Sequence, residues 1–170
     1  MLKRLIFLVF VGAVLAAVIR LYVIEGVYVA SASMEPTLKV GSNFFLEKIT
    51  YLFRRPARND FVVFYSPVKA GHDSIKRVIA VEGETVELIN KSVYINGKKL
   101  EEDYVKHTRP GEILAGDNLG PFEVPEDMLF VLGDNRDESE DSRDWVNKDT
   151  SQHIYFITLN SVKGKLVMFF

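Results

Sequence analysis

A mainly antiparallel β domain behind one N-terminal transmembrane helix is the fold class that this 170-residue chain predicts. Three observations carry it. The N-terminus is basic and then apolar, the remainder breaks into short β-branched and aromatic runs, and no segment after Ile24 keeps a long helical period. No internal repeat is visible, and the length suits one domain with a modest insertion.

The helix comes first. Lys3-Arg4 precede LIFLVFVGAVLAAVI, fifteen uncharged residues from Leu5 to Ile19, and after Arg20 the run LYVI continues to Ile24. Fifteen helical residues reach about 22 Å, whereas twenty reach about 30 Å, the thickness of a hydrocarbon core. A span over residues 5–24 therefore requires the Arg20 stem to carry its guanidinium to the far headgroups, with Tyr22 and Tyr28 as interfacial anchors. The basic pair at the leading end predicts residues 1–4 inside and the bulk of the chain outside. The same segment, ending in the small-x-small run Ala30-Ser31-Ala32, also fits a cleavable signal peptide. These residues alone leave anchor and leader equally open, and both readings export residues 31–170.

Short strands follow. FVVFYS (61–66) predicts a strand that Pro67 ends. Residues 75–81, IKRVIAV, are apolar on both faces apart from Lys76-Arg77, as in a buried strand. Residues 85–89, 92–95 and 98–100 form a meander, turned at Asn90-Lys91 and at Asn96-Gly97, the strongest short hairpin signal. Residues 101–121 are polar and read as an excursion. Met128 to Leu132 is another buried strand, stopped by Gly133-Asp134, and residues 155–159 and 165–170 read as closing strands.

Composition removes several chemistries. Hydrophobic residues make up 48%, enough for a core, and 21 basic against 23 acidic side chains give a net charge of −2, so no global field points to nucleic acid. With no cysteine, disulfides, thiolate catalysis and Cys-based zinc sites are excluded. His72, His107 and His153 lack metal-ligand spacing, and no flanking motif supports a Ser-His-Asp triad.

Three patches remain where chemistry fits. In SMEPTL (33–38), Pro36 fixes its own φ and favours an extended Glu35, so Ser33 stands at a stiff bend beside small Ser31 and Ala32. Serines before proline turns are common, and the patch alone decides nothing. In the buried strand, alternation sends either Lys76 or Arg77 inward. An inward lysine loses solvation and its pKa falls, which a lysine base needs; an outward one merely blunts an edge. GDNRDESEDSRDW (133–145) fails as a calcium loop, having no glycine at the sixth or glutamate at the twelfth position from Asp137. It predicts a turn stapled internally by Arg136 and Arg143 against Asp134, Asp137, Asp141 or Asp144.

Taken in order behind a membrane helix, SMEPTL, DFVVFYSP, KRVIAVEGE and GDNRDESEDSRDW resemble the bacterial type I signal peptidases, over nearly the whole chain. The resemblance implies a signal-peptidase-like β fold and a serine endopeptidase that removes signal peptides from exported preproteins after small-x-small motifs. It implies Ser33 as nucleophile, a neutral Lys76 as general base, and Ser139 as the residue that orients the lysine. The Ser31 side chain joins the Ser33 backbone N–H in the oxyanion hole. Asp141 and Arg143 form a supporting ion pair, Arg77 supports as well, and Val29, Ala30, Met34, Leu38, Ser74 and Ile75 line the substrate pockets. No metal, cofactor or nucleic acid is implied. The implied partners are signal peptides, the lipid bilayer and the secretion translocon. The implied location is the cell membrane, single-pass, with the helix kept as an anchor and the catalytic domain on the outer face. Residues 25–83 and 125–170 would form that domain, with 84–124 a small inserted β subdomain.

The chain departs from the family pattern in places. Val29 and Ala32 stand where the family often has Pro and Gly, and Ala32 requires ordinary backbone angles. Glu82-Gly83-Glu84 replaces a Pro-Gly-Asp turn, and the usual Gly-x-Val-Pro after Trp145 is missing. Rival readings are thinner. The apolar N-terminus disfavours a self-cleaving repressor, and Ser66-Pro67-Val68-Lys69 matches the SxxK of penicillin-binding enzymes in a chain too short for that fold. A non-catalytic secreted β domain would begin at Ser33.

Overall fold

The computed structural model describes residues 1–167, so the last three residues of the expected closing strand lie outside it. Helix α1 (Leu2–Tyr22) has no proline to interrupt it and no side chain buried against the rest of the protein. Its 21 residues and mean hydropathy of 2.5 make it long and apolar enough to cross a membrane, reaching about 31 Å. Arg20 lies in its last turn, where the helix dipole favours a cation.

The helix stops two residues short of the expected limit at Ile24. The Val23 N–H closes it on Ile19 O, and Ile24 already pairs with Glu47 as the first residue of β1 (Ile24–Tyr28) against β2 (Asn43–Glu47). Strand pairing recruits the β-branched residues that the apolar run appended to the helix. A one-turn helix, α2 (Thr50–Phe53), follows, with Leu52 and Phe53 exposed.

The remaining strands are β3 (Phe61–Tyr65), β4 (Asp73–Val81), β5 (Thr85–Ile89), β6 (Ser92–Ile95), β7 (Lys98–Lys99), β8 (Leu119–Glu123), β9 (Met128–Leu132), β10 (Ile157–Thr158) and β11 (Val162–Val167). Seven form one sheet in the order β1-β2-β11-β3-β4-β9-β10, and four form a second in the order β7-β6-β5-β8. Every strand pairing among the described residues is antiparallel. The hairpin turns fall at the expected dipeptides. Asn90 and Lys91 take φ of 46° and 68°, and Asn96 and Gly97 take 51° and 74°, the left-handed pairs that a tight two-residue hairpin requires.

Two expected strands changed shape. The 155–159 strand shrinks to β10 followed by a 3-10 turn at Leu159–Ser161, and β11 begins at Val162, three residues earlier than expected. The polar excursion ends in β8, a strand holding Pro121 and pairing only with β5 at the sheet edge, where a missing N–H is tolerated.

Packing ties the two sheets together. One apolar cluster joins Ile79, Ala80, Phe130 and Leu132 of the large sheet to Val86, Leu88, Val93 and Ile95 of the small one, so residues 85–123 share the core of the main body. A second, beneath the N-terminal turn, holds Val29, Met34, Leu38, Leu46, Phe61, Val63 and Leu166. A third gathers Val62, Phe64, Val78, Val131 and Trp145, with the Trp145 ring edge-on to Phe64 at 5.8 Å. That contact explains the tryptophan at the end of the charged run. It pins the loop after β9 into the core.

Candidate active site

Strand β4 supplies the lysine. The pairs Phe61↔Arg77 and Val62↔Lys76 put the two cations on opposite faces of the sheet, as alternation demands. The expectation that one of them reaches solvent fails, because Lys76 is 5% and Arg77 6% exposed. Strand β4 is central, between β3 and β9, and the loop after β9 meets both side chains.

Arg77 makes a two-pronged contact with Asp134, Nε to Oδ1 at 2.8 Å and Nη2 to Oδ2 at 2.6 Å. Its guanidinium lies between the rings of Phe61, 4.3 Å away, and Tyr104, 3.6 Å away. Among the described residues Lys76 has no carboxylate at bonding distance. Its Nζ donates to Ser139 Oγ at 2.9 Å. Burial, the largest influence, pushes the Lys76 ammonium below its ordinary range, against the opposing pull of Asp141.

Ser33 sits in a 3-10 turn, Ala32–Met34, between an extended Ser31 and an extended Glu35. Ser31 Oγ and Ser33 Oγ are 3.2 Å apart. No hydrogen bond joins Ser33 to Lys76 among the described residues. Both nevertheless line one cleft of about 400 Å3, together with Ser31 and Met34. Its walls are the end of β1 with Val29 and Ala30, and the start of β4 with Ser74 and Ile75. Apo sites of this kind often hold their catalytic hydrogen bonds open until substrate arrives.

Of the expected pocket residues, Val29, Ala30, Met34, Ser74 and Ile75 line this cleft, and Leu38 does not. Leu38 is fully buried beneath the turn, packed with the Met34 cluster, because the chain doubles back at Pro36 and carries it into the core. The SxxK lookalike is a turn: Ser66 Oγ accepts the Val68 and Lys69 N–H groups, and Lys69 pairs with Glu140 at 2.7 Å.

Inside the charged loop, Arg143 and Asp141 pair through two bonds of 2.8 and 3.0 Å, and Asp141 Oδ2 accepts the Gly133 N–H at 3.0 Å. Burial alone would raise the Asp141 carboxyl, but the Arg143 guanidinium outweighs it and holds the group below the usual carboxylate range. The other expected staples are not internal. Arg136 pairs with Glu102 at 2.6 Å, and Asp137 takes the Lys91 ammonium at 2.8 Å and the Arg109 N–H at 2.6 Å. The polar stretch read as an excursion folds back over the loop as a strap, its Lys106 N–H bonded to Asp134 O and its side chain to Glu35.

Two positions whose purpose the residues did not disclose are Gly133 and Asn135. A Cβ on Gly133 would stand 2.2 Å from Ser139 Oγ and 2.4 Å from Ser33 O, so only glycine lets the serine turn and Ser139 approach. Asn135 bonds the turn twice, through its backbone to Ser33 O and through its side chain to Ala32 O.

A profile described as signal peptidase, peptidase S26, matches residues 2–170. The chain belongs to this signal peptidase family. It is 42% identical over 139 residues to the probable signal peptidase I-2 of Synechocystis sp., and the match covers 79% of this chain but 61% of that protein. A second Synechocystis protein, probable signal peptidase I-1, is 40% identical over 150 residues, covering 84% and 74%. Signal peptidase I of Bacillus licheniformis is 36% identical over 160 residues, covering 87% and 85%. A crystal structure of a signal peptidase I from Enterococcus faecalis V583 shares the fold with a TM-score of 0.50 at 36% identity, over 67% of this chain and 98% of that one.

In this member of the signal peptidase family, Ala32 replaces the frequent glycine without strain. The left-handed residues of the chain lie elsewhere, and the turn runs from an extended Ser31 with φ of −133°. The single N-terminal apolar helix is consistent with the membrane anchor of signal peptidase I.

Proposed function

We propose that this chain is a membrane-anchored serine endopeptidase that removes signal peptides from exported preproteins, with Ser33 as nucleophile and a neutral Lys76 as general base. The observation that carries the reading is a buried lysine paired with no carboxylate among the described residues, its amine lowered in pKa, opening on the same cleft as a serine held at a bend. Family membership supplies the substrate class.

The chemistry follows from these groups. A neutral amine that donates one hydrogen to Ser139 keeps its lone pair for the Ser33 hydroxyl. As Ser33 Oγ attacks the carbonyl carbon of a small residue, its proton passes to Lys76 Nζ. The Ser33 N–H and the Ser31 hydroxyl receive the negative oxygen, once Ser31 turns from its contact with Ser33. Lys76 then returns the proton to the departing amine, and the C–N bond breaks to leave an acyl-enzyme. Water, deprotonated by the same lysine, frees the serine and the signal peptide. Asp141 and Arg143 hold the loop that carries Ser139.

An extended substrate between 27–30 and 73–76 gains backbone hydrogen bonds from both, and the small and apolar lining at Val29, Ala30, Met34 and Ile75 suits small residues. The Lys3-Arg4 pair puts the N-terminus inside and residues after α1 on the outer face of the cell membrane, beside the translocon that delivers preproteins. Incubation of wild type, Ser33→Ala and Lys76→Ala with a preprotein in detergent tests the reading. Wild type should release the mature protein and both variants should not; processing by Ser33→Ala at the wild-type rate would refute it.

A further inference from the structure

Asn135 touches the serine turn at two consecutive peptide groups. Its Nδ2 donates to Ala32 O at 3.1 Å, and its backbone N–H donates to Ser33 O at 3.1 Å. The Glu35 N–H also bonds Ala32 O, at 3.0 Å, so that carbonyl accepts from two donors.

The Ala32 carbonyl and the Ser33 N–H belong to one peptide unit. In a planar trans peptide these two bonds point in opposite directions. Holding the Ala32 oxygen against Asn135 therefore turns the Ser33 N–H the other way, and it meets no hydrogen-bond acceptor among the described residues. An N–H left free beside the nucleophile is what an oxyanion requires.

Asn135 is built to hold that orientation. It is 1% exposed, and the strap grips the residues on both sides of it, with the Lys106 N–H bonded to Asp134 O and Lys106 O accepting the Arg136 N–H. Its own Oδ1 is buried with no hydrogen-bond partner among the described residues, a costly state for a polar atom. The reversed amide would set two acceptor oxygens face to face, so the side chain gives up one hydrogen bond to keep the one to Ala32.

We infer that Asn135 is a positioning residue for the oxyanion hole, aiming the Ser33 N–H at the cleft through the Ala32–Ser33 peptide. The inference rests on the proposed serine hydrolase reading.

Asn135→Ala and the near-isosteric Asn135→Asp, assayed with a preprotein in detergent beside wild type and Ser33→Ala, test it. In both variants kcat should fall roughly 10- to 100-fold, part of what loss of a whole oxyanion donor costs. KM, inhibition by the cleaved signal peptide, and the pH midpoint of kcat/KM should stay within twofold or 0.3 pH units of wild type, roughly the limits of such assays. Retained inhibition shows a folded cleft, which a merely structural role for Asn135 would not leave beside a lost kcat. Wild-type kcat in both variants overturns the inference, as does a loss of kcat matched by loss of inhibition or by a shifted pH midpoint. If folded wild type cleaves no preprotein, the hydrolase reading fails first and this inference with it.

Discussion

Lys76 Nζ and Ser139 Oγ are 2.9 Å apart, and this is the hydrogen bond that the buried amine makes. Ser33 Oγ turns instead to Ser31. In the proposed mechanism the resting base is thus held by Ser139 rather than by the nucleophile, and Ser139 sets where the lone pair of the amine points. Ser139→Ala should leave KM unchanged and lower kcat by roughly 10- to 100-fold, the scale of a misplaced catalytic group. Steady-state kinetics on a preprotein checks it, and an unchanged kcat would remove Ser139 from the mechanism.

In the proposed mechanism Lys76 costs the fold what it gives the chemistry. Lys76→Arg should be inactive, since a guanidinium keeps its proton. Lys76→Met, of similar length and apolar, should also be inactive but more stable at neutral pH, by on the order of 1 kcal/mol. The sign follows from linkage. The folded pKa lies below the ordinary 10.5, so between the two values the unfolded chain binds a proton that the folded chain refuses. Wild-type stability therefore rises with pH across that window, and the Met variant should lose the slope. Thermal unfolding at several pH values reads both.

Gly133→Ala should be inactive. The added methyl would meet Ser139 Oγ at 2.2 Å and Ser33 O at 2.4 Å, so the serine turn and the charged loop must part. Such overpacking costs about 1–3 kcal/mol. A lowered Tm with lost turnover is expected, whereas wild-type activity would show that the loop yields freely.

Asp60 holds the far side of the sheet. Burial alone would raise its carboxyl, yet hydrogen bonds from Arg54 and Lys165 and from the Ala57 N–H bring it down to about 2 from 3.8. With the folded value depressed, its contribution is present above pH 3.8 and is lost as pH falls through about 2. Asp60→Asn should therefore destabilise by about 1–2 kcal/mol at pH 7 and by nothing below about pH 2, as read by denaturant unfolding.

Local rules made part of this molecule readable. FVVFY and IKRVIAV announce buried strands by branching and polarity, and Asn96-Gly97 announces its hairpin because turn chemistry involves only the turn. Strand β1 went unread because IEGVY follows an apolar run that a helix claims, and β8 because Gly120-Pro121 breaks every strand except an edge. Alternation gave Lys76 and Arg77 opposite faces, but burial on each face depends on a loop more than fifty residues away. Separations of 34 and 46 residues likewise hid the true partners of Arg136 and Asp137. Glu102 and Lys91 reach them only after the strap folds across, and a polar strap carries no period to betray it. Ser33, Lys76 and Ser139 were singled out through family resemblance, whereas the contacts of Gly133 and Asn135 emerge only where the loop meets the serine turn.

The pH profile of preprotein cleavage tests the pairing of a buried lysine with Ser33 most directly. In wild type, kcat/KM should climb with pH through one ionisation centred below the ordinary lysine value of 10.5, as Lys76 loses its proton, and Ser33→Ala should show no cleavage at any pH. A wild-type rate that stays flat from about pH 6 to about pH 10 would contradict a lysine base.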